Sequence, residues 1–474
     1  MQERLDKLAR ISEKTGNPYS QNRFEKTQTI AAVKSEFLEE KEVSLAGRLT
    51  TRREHGKSMF CDLRDFSGHI QCYLRKDATE NFEQTKELDI GDVLGVSGKL
   101  FKTKTGEITV FVSKFTVLAK ALRSLPEKWH GLKDIELRFR KRYLDLIANP
   151  QSVAIFIKRN QIVKEIRSFL DQKGFIEVET PLLHSIPGGA SGRPFKTFHN
   201  ALGLDIYLRI APELYLKKLL VGGFDNIYEL NRSFRNEGIS VRHNPEFTML
   251  EVYSCYKDYA YMMELTENMI KELAKRINES LMLDYQDKTI DFSRKFRIFS
   301  LASKLKEDFG VEFDDSPQEF IKKMSSRLKI KENLSRSQII KLIEDLIEEK
   351  YYGQEPVFVT DFYTWMSPLA KAKKDNPHIV ERFELFIAGI EVANAYSELN
   401  DPVEQKKRLV KQLDTEEELP KKLDEDFLEA LEYGMPPAAG LGIGIDRLVM
   451  ILLNQPSLKE VILFPLLKPK EAEE

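Results

Sequence analysis

The sequence predicts an α+β protein in which a small β-barrel precedes a larger domain built on an antiparallel sheet flanked by helices. Three observations support this fold class. Short β-type runs separated by turn residues fill residues 43–119. Strand-like and helix-like segments alternate irregularly after residue 151, which favours an antiparallel sheet over a doubly wound parallel one. The length of 474 residues exceeds one ordinary core.

The front of the chain is predicted to carry a helical extension over residues 1–42, with a polar helix at Glu3–Lys14 and a Gly-Asn-Pro break at 16–18. Residues 43–120 then form the barrel. Spacing of this kind is typical of a five-stranded OB-type barrel. The predicted strands are Val43–Thr50, Met59–Leu63, Ile70–Leu74, Val93–Lys99 and Ile108–Leu118.

Residues 121–150 are charged and amphipathic and are interpreted as a linker; residues 151–474 form the main domain. A helix is predicted at Val153–Lys173, closed by Gly174, because apolar residues recur at helical spacing. A charged helical insertion is expected around 297–350. Long strands are predicted at Ile227–Phe234, Phe247–Tyr253 and Phe383–Ala393.

Composition excludes several classes of protein. Hydrophobic residues make up 42% and charged residues 31%, and the net charge is -2. No apolar run reaches the ~20 residues of a membrane span, so no membrane partner is expected. Cys61, Cys72 and Cys255 show neither zinc-type spacing nor a disulfide framework, which predicts a reducing, cytoplasmic location without zinc. The first 150 residues are net basic and suggest a polyanionic partner.

Glycines at 440, 442 and 444 stand two apart in the run AGLGIGIDRLVMILL, beginning at Ala439. On a strand they share one face, so a flat or phosphorylated ligand could lie against bare backbone. Asp446 is then expected to cap a helix that Arg447 opens. The alternative is a tight packing contact between strand and helix.

A polar loop at residues 236–246 is predicted between two strands, with Arg235 ending the first. Arginine forks bind phosphate, and glutamate accepts hydrogen bonds from amino groups, so the loop fits a nucleotide. The alternative is a charged hairpin tip.

In a third segment, Glu384 and Glu391 interrupt an apolar strand. They would suit Mg²⁺ bound to a polyphosphate, or they could form two ordinary salt bridges. Their spacing requires a β-bulge, which Gly389 could supply.

These segments together resemble the signature motifs of class II aminoacyl-tRNA synthetases, with Phe175–Leu183 as the first, dimer-forming motif. Within that class the chain is most similar to the lysyl-tRNA synthetase family, from Arg4 to Pro469. The agreement includes IPGGASGRPF at 186–195, LRIAPELYLK at 208–217, ANAYSELNDP at 393–402 and FKTKTGE at 101–107.

The resemblance implies a homodimer that activates L-lysine with ATP and Mg²⁺ and loads it onto tRNA(Lys). It implies catalytic roles for Arg235 and Arg447. The implied lysine ligands are Gly189, Glu213, Arg235, Glu251, Tyr253, Asn394, Tyr396, Glu398 and Gly444. The implied ATP ligands are Arg235, Glu237, His243, Asn244, Phe247, Glu391 and Arg447, and the implied metal ligands are Glu384 and Glu391. In the barrel, the implied anticodon contacts are Arg53, Phe60, Gln71 and Glu107.

Some features depart from the resemblance or stay open. Without the family, Phe60 would be read more often as core than as a stacking platform. Tyr363, Trp365 and the pair Lys373-Lys374 replace residues that the family usually shows near the ATP site. The KMSSR string at 323–327 imitates a class I loop but is predicted to be a surface helix. The alternatives are an aspartyl/asparaginyl enzyme, a paralogue that lysylates an elongation factor, or a non-catalytic RNA-binding module.

Overall fold

The structure is a computed structural model that describes residues 1–125, 132, 134–190, 192–328, 334, 336–348, 355–415 and 422–469. The chain divides into two compact units, residues 1–153 and residues 154–474. Each unit has its own hydrophobic core. No helix in the described parts of the chain is long and apolar enough to cross a membrane.

The first unit is a closed barrel with short helices. Its strands are β1 (Glu42–His55), β2 (Ser58–Arg64), β3 (His69–Arg75), β4 (Val93–Lys102) and β5 (Ile108–Ala119). Its helices are α1 (Gln2–Thr15), α2 (Ile30–Ser35), α3 (Ile135–Arg140) and α4 (Arg142–Ala148). Each predicted strand is confirmed, although β1 extends beyond its predicted end at Thr50. The predicted N-terminal helix is α1, and Gly16, at φ 86°, follows it.

The barrel closes in the order β1-β2-β3-β5-β4, with β3 and β5 parallel and the other pairs antiparallel. Alternate residues of each strand point inward, as the pleat requires. Cys61 and Cys72 lie directly opposite each other in β2 and β3 and are buried in the core. This pairing could not be seen from their spacing in the sequence, because it depends on strand register.

The second unit is built on a large sheet. Its strands in the order of the sheet are β14 (Arg297–Ser300), β15 (Val357–Thr360), β16 (Arg382–Ile387), β17 (Ile390–Ser397), β18 (Ala438–Gly444), β11 (Glu246–Cys255), β10 (Asn226–Phe234) and β6 (Ile176–Glu177). The central strands are antiparallel, as predicted, and only the outer pairs β14–β15 and β10–β6 are parallel.

Smaller sheets and helices complete this unit. The remaining strands are β7 (Leu183–His184), β8 (Lys196–His199), β9 (Leu204–Leu208), β12 (Met282–Tyr285) and β13 (Lys288–Asp291). The helices are α5 (Pro150–Gln172), α6 (Glu213–Val221), α7 (Tyr259–Asn278), α8 (Leu301–Phe309), α9 (Pro317–Leu328), α10 (Arg336–Leu346), α11 (Pro402–Thr415), α12 (Glu425–Glu432), α13 (Ile445–Leu452) and α14 (Leu458–Val461). Helix α5 matches the predicted helix closed by Gly174.

Helices α5, α7 and α13 cover one face of the large sheet and form the main core with it. On the strands this core uses alternate residues such as Leu250, Val252, Leu441 and Ile443. The intervening residues therefore point to the opposite face. That opposite face carries the polar side chains of the candidate site.

One segment that was predicted as a single strand is two strands joined by a turn. Phe383–Ala393 is not continuous but a hairpin of β16 and β17, turned at Ala388 and Gly389, which both have positive φ (51° and 80°). Two positive-φ residues between paired strands make a tight hairpin turn. The apolar residues on both sides of this turn hid it in the sequence, because they read as one buried strand.

The region after residue 297 also differs in part from its prediction. Arg297–Ser300 is strand β14 of the large sheet, and the described helices α8, α9 and α10 follow it. The KMSSR string lies in α9, so its prediction as a helix is confirmed, although Met324 and Ser325 are buried rather than exposed. Lys323 is ion-paired with Asp315.

Candidate active site

A cavity of about 370 Å³ lies over the polar face of the large sheet in the second unit. All but one of the residues predicted to bind lysine, ATP or metal line it: Gly189, Glu213, Arg235, Glu237, His243, Asn244, Phe247, Glu251, Tyr253, Glu384, Glu391, Asn394, Tyr396, Gly444 and Arg447. The exception is Glu398, which does not line the cavity but lies fully buried beside the lining residue Gly440. The chain positions of these residues span 189 to 447. The fold therefore gathers into one cavity what the sequence spreads over more than half its length.

The glycines of β18 form the floor of this cavity. Gly442 pairs with Glu251 on one side and Asn394 on the other, while Gly440 lies between Tyr253 and Tyr396. A Cβ at Gly440 would overlap the Glu398 carboxylate and lie 2.6 Å from the Tyr253 ring. Gly440 therefore makes room for buried protein side chains. At Gly444, by contrast, the nearest atom to an added Cβ is 3.7 Å away, which leaves space above the strand.

A buried ion-pair cluster forms one end of the cavity. Lys217 Nζ lies 2.6 Å from Glu213 Oε1 and 2.5 Å from Glu398 Oε2, and all three side chains are buried. Tyr396 donates a hydrogen bond of 2.7 Å from its hydroxyl to Glu213 Oε2. The sequence reasoning missed Lys217. Its position four residues after Glu213 on a helix was the available signal, because such residues share a face.

The charges of this cluster depend on burial. Burial lowers the pKa of Lys217, but the neighbouring carboxylates of Glu213 and Glu398 raise it by more. The pKa of Lys217 therefore lies above its usual value. Burial raises the pKa of Glu398 to about 8, although Lys217 pulls it down. Glu398 Oε1 has no hydrogen-bond partner among the described residues. One oxygen of Glu398 is thus paired with a protein cation, while the other is not.

Glu251 stands beside this cluster on β11. Tyr253 donates a hydrogen bond of 3.2 Å to Glu251 Oε2. Burial, and next the charge of Glu213, raise the pKa of Glu251 well above its usual value. Burial in the pocket wall therefore favours the protonated form of Glu251 more than exposure to solvent would.

Arginines mark the other end of the cavity. The Arg235 guanidinium lies 5.2 Å from the centre of the Phe247 ring, and its buried Nε has no hydrogen-bond partner in the described part of the chain. Burial lowers the pKa of Arg235. A buried arginine donor without an acceptor is a position that an anionic ligand would satisfy.

Arg447 reaches the same region from α13. Its Nη1 donates to the backbone oxygen and to Oε2 of Glu391, both at 2.9 Å, and its Nη2 is 3.3 Å from His243 Nε2. His243 Nδ1 in turn lies 2.9 Å from Ser240 Oγ. Asn244 uses its amide nitrogen to donate to the backbone of Glu246. Hydrogen bonds within the loop of residues 236–246 therefore hold His243 and Asn244 in place.

Asp446 does not cap α13, contrary to the prediction. The N-cap is Gly444, and Asp446 lies within the first turn. Its carboxylate accepts a 2.8 Å hydrogen bond from the backbone nitrogen of Thr248 and pairs at 2.6 Å with Arg159. This buried link ties α13 to β11 and so fixes Arg447 relative to Phe247.

A bulge brings the two predicted metal carboxylates to one face. Leu385 pairs with Ala393, but Phe386 pairs with Glu391, so Val392 is the extra residue. Gly389 does not supply this bulge, as the sequence suggested, because it belongs to the hairpin turn. The shift turns Glu391 to the face of Glu384. Burial raises the pKa of Glu384 to about 7, and the charge of Glu391 adds to this.

These carboxylates suit a cation shared with a polyphosphate. No group of three or more metal-type side chains occurs in the described ranges. Mg²⁺ commonly takes one or two carboxylates, with phosphate oxygens and waters completing its shell.

Sequence reasoning also missed Arg382. Its guanidinium contacts Glu384 and donates to Asn394 Oδ1 at 3.1 Å and to Ser367 Oγ at 2.6 Å.

The departures at residues 363–374 lie away from this chemistry. None of Tyr363, Trp365, Lys373 and Lys374 is among the residues that line the cavity. Tyr363 and Trp365 pack against Phe320 of α9, and Lys373 pairs with Asp361 at 2.6 Å. Tyr363 and Trp365 therefore contribute to packing against α9, and Lys373 contributes an ion pair outside the cavity.

The barrel carries its own candidate site. Phe60 points outward from β2, so reading it as core is wrong, and its ring stacks on Tyr73 with centroids 4.5 Å apart. Arg53 pairs with Phe60 in register, and Gln71 Oε1 accepts a hydrogen bond from Thr109. Glu107 lies 3.9 Å from Lys34. Tyr73, with Phe101 and Phe111 beside it, extends an outward aromatic surface that the sequence reasoning missed.

Comparisons with known proteins identify the family to which the chain belongs. A family model described as "tRNA synthetases class II (D, K and N)" matches residues 134–468, and one described as "OB-fold nucleic acid binding domain" matches residues 43–118. The chain therefore belongs to the class II tRNA synthetases of the D, K and N group, and its front barrel is an OB-fold.

Curated relatives narrow this class. A lysine–tRNA ligase of Carboxydothermus hydrogenoformans is 50% identical over 99% of this chain and 98% of its own length. Lysine–tRNA ligases of Moorella thermoacetica and Thermoanaerobacter pseudethanolicus are 50% and 49% identical, each over 99% of this chain and 97% of the relative.

Proposed function

We propose that the cavity is the site at which this chain, a lysine–tRNA ligase, activates L-lysine with ATP before transferring it to the 3′ end of tRNA(Lys). This assignment rests on one observation: the same cavity has acidic side chains at one end and basic side chains at the other. Buried carboxyl groups with an open Glu398 oxygen stand at one end, and arginines stand at the other. Lysine needs an anionic partner for its tail, and ATP needs cationic partners for its phosphates.

Lysine lies along β18 with its tail towards α6. Glu213 and the backbone near Gly189 receive its α-amino group, and Arg235 and Asn394 receive its carboxylate. The ε-ammonium meets Glu398 Oε1, with Tyr253 and Glu251 beside it. Tyr396 flanks the methylene stem, and Gly444 leaves space near the carboxylate.

ATP occupies the arginine end. Arg235 contacts the α-phosphate, while Glu237, His243 and Asn244 from the loop position the nucleotide. The adenine lies between Phe247 and Arg447. The Arg235 guanidinium lies 5.2 Å from the centre of the Phe247 ring, beside the proposed adenine position.

Glu384 and Glu391 would hold Mg²⁺, which would supply positive charge to offset the negative charge of the phosphates. Each carboxylate contacts an arginine in this structure, Glu384 with Arg382 and Glu391 with Arg447, and the two lie on the same face of the hairpin, where one cation could be shared between them. We assign no zinc to the protein. Cys61 and Cys72 are buried in the barrel, and Cys255 is buried in the other unit.

The chemistry requires alignment more than proton transfer. A carboxylate oxygen of lysine attacks the α-phosphorus, the bond to the β-phosphate oxygen breaks, and pyrophosphate leaves. The terminal ribose hydroxyl of tRNA then attacks the lysyl carbonyl, the bond between the carbonyl carbon and the phosphate oxygen breaks, and AMP leaves with the bonding electrons while the hydroxyl proton passes to the phosphate or to solvent. Arg235 and Arg447 act as catalytic residues by holding the reacting groups in line and by stabilising the charge that develops on phosphate.

The outward aromatic surface of the barrel binds the anticodon. Phe60 stacks on a base, and Arg53, Gln71 and Glu107 provide polar contacts around it.

The protein acts in the cytoplasm as a homodimer. Exposed apolar side chains between residues 176 and 204 support the dimer: Ile176, Leu182, Leu183, Phe198, Leu202 and Leu204.

An ATP–pyrophosphate exchange assay with a panel of amino acids tests this function. We expect exchange with lysine and none with aspartate or asparagine, the substrates of the other enzymes in the group. Exchange with aspartate but not lysine would contradict the assignment. Absence of exchange with any amino acid would instead favour a binding module.

A further inference from the structure

Lys217 is as fully buried as Glu398, to which the ε-ammonium of the substrate was assigned above. Its side chain is fully buried on α6, and it touches both the carboxylate assigned to the α-amino group and the one assigned to the ε-ammonium. Its ammonium also faces the rings of Tyr396 and Phe427, at 5.7 Å and 5.9 Å. A buried ammonium with this many partners has a fixed position.

We propose that Lys217 is a positioning residue for lysine selection, which holds Glu398 through one oxygen and leaves the other oxygen to receive the substrate's ε-ammonium. This inference rests on the proposed lysine site. It assigns to the protein's own lysine a role in recognising lysine as substrate.

The geometry divides Glu398 into two parts. Neither oxygen has a hydrogen bond of regular geometry in the described part of the chain, but Oε2 forms an ion pair with Lys217 Nζ at 2.5 Å, whereas Oε1 is buried beside Gly440 on the cavity floor. The backbone nitrogen of Glu398 is also fixed, because it donates to Ala438 at 2.8 Å. A carboxylate held at both its backbone and one oxygen can set the chain length that its second oxygen accepts.

Electrostatics give Lys217 a second effect on Glu398. The charged and titratable groups around Glu398 are Lys217 and Glu213 from α6, Glu251 and Tyr253 from β11, Tyr396 from β17, and Lys371 from the loop before β16. Of these, Lys217 contributes most to lowering the pKa of Glu398, against a burial effect that raises it to about 8. Lys217 thus keeps Glu398 able to ionise when a cation arrives.

The test compares Lys217→Met with Lys218→Met. Lys218, the next residue, reaches the exposed Asp426 and lies outside the main cavity, so it controls for loss of a lysine on α6. For Lys217→Met we expect the KM for lysine to rise at least ~10-fold while the KM for ATP changes less than about twofold. The acid limb of kcat/KM for lysine should move upward by about one pH unit, because an attractive charge is lost.

Several outcomes would overturn the inference. They are an unchanged KM for lysine, equal rises in both KM values, or an unmoved acid limb. If Lys217→Met does not fold, Lys217→Gln keeps hydrogen-bonding groups without the charge and is measured in the same way. Failure of both variants to fold in the presence of lysine would make Lys217 a structural residue and would also reject the proposal.

Glu398→Gln separates this inference from the proposed function. If Glu398→Gln weakens lysine selectively but Lys217→Met does not, the lysine site stands and only the role of Lys217 fails. If Glu398→Gln leaves lysine binding unchanged, the proposed lysine site itself is wrong.

Discussion

Glu398 shows how one side chain carries both a structural and a recognition role. Its ion pair with Lys217 compensates burial through one oxygen, while the second oxygen stays open. Leaving a buried charged oxygen unmatched costs free energy. A substrate whose terminal ammonium reaches Glu398 Oε1 offsets this unfavourable free energy. A shorter or neutral substrate does not.

The protonation of Glu398 makes lysine binding depend on pH. Burial raises the pKa of Glu398 to about 8, and the ε-ammonium binds the ionised form. We therefore expect kcat/KM for lysine to rise with pH from 6 and to level off near pH 8, with a slope of about one log unit per pH unit on the acid side.

Steady-state exchange kinetics at fixed saturating ATP would measure this profile. In Glu398→Gln the rise should disappear, because glutamine does not titrate. A profile that is flat from pH 6 to 8 in the parent protein would contradict the assignment of Glu398.

At the scale of elements, the hairpin of β16 and β17 shows where prediction from sequence ends. The barrel strands alternate between buried and exposed residues, so their pattern predicts them well. The β16–β17 hairpin is apolar on both faces, so the pattern hides its turn. The bulge at Val392 depends on how two strands pair, and pairing register is not visible in a single sequence.

The candidate site divides in the same way. Residues such as Arg235 and Glu384 were predicted because polar groups interrupt apolar strands or crowd one loop, and because the family resemblance assigned them roles. Lys217 and Arg382 act through other side chains of the cavity. Their importance follows from three-dimensional contacts, and ordinary charged residues at their positions would look the same in the sequence.

The glycine strand gives a prediction at this scale. Gly440→Ala should lower the free energy of unfolding by roughly 1–3 kcal/mol and raise the KM for lysine, because its Cβ would overlap the buried Glu398 and Tyr253 side chains.

Gly444→Ala is the matched control, since its Cβ would meet only ordinary contacts. We expect its unfolding midpoint in urea to equal that of the parent, with any loss confined to catalysis. Equal destabilisation by both substitutions would show that the difference in space beside the two glycines is unimportant.

At the scale of the whole molecule, the two units divide the work. Amino-acid activation belongs to the second unit and anticodon binding to the barrel. Phe60→Ala should lower kcat/KM for tRNA by ~5- to 100-fold, because stacking on one base contributes roughly 1–3 kcal/mol. Pyrophosphate exchange should stay at the parent rate.

Phe66→Ala controls for loss of an exposed aromatic side chain, because Phe66 lies in the loop between β2 and β3 and is 69% exposed. It should leave aminoacylation unchanged. A fall in pyrophosphate exchange with Phe60→Ala would argue against a separate role for the barrel.

The proposed homodimer is also a property of the whole molecule. Leu183 is half exposed on β7, within the segment rich in exposed apolar residues. Leu183→Glu places a charge there and should convert the dimer to a monomer in light scattering. Tyr433→Glu, at an exposed site on the C-terminal side of α12, should remain dimeric. A parent protein that scatters as a monomer would reject the dimer.

The central claim is that the open oxygen of Glu398 recognises the ammonium of lysine. Pyrophosphate exchange with lysine and with norleucine, which lacks the terminal amine, tests it most directly in the parent protein and in Glu398→Gln. We predict that the parent prefers lysine and that Glu398→Gln loses roughly 2–4 kcal/mol of this preference, a ~30- to 1000-fold change. An undiminished preference for lysine over norleucine in Glu398→Gln would contradict the account.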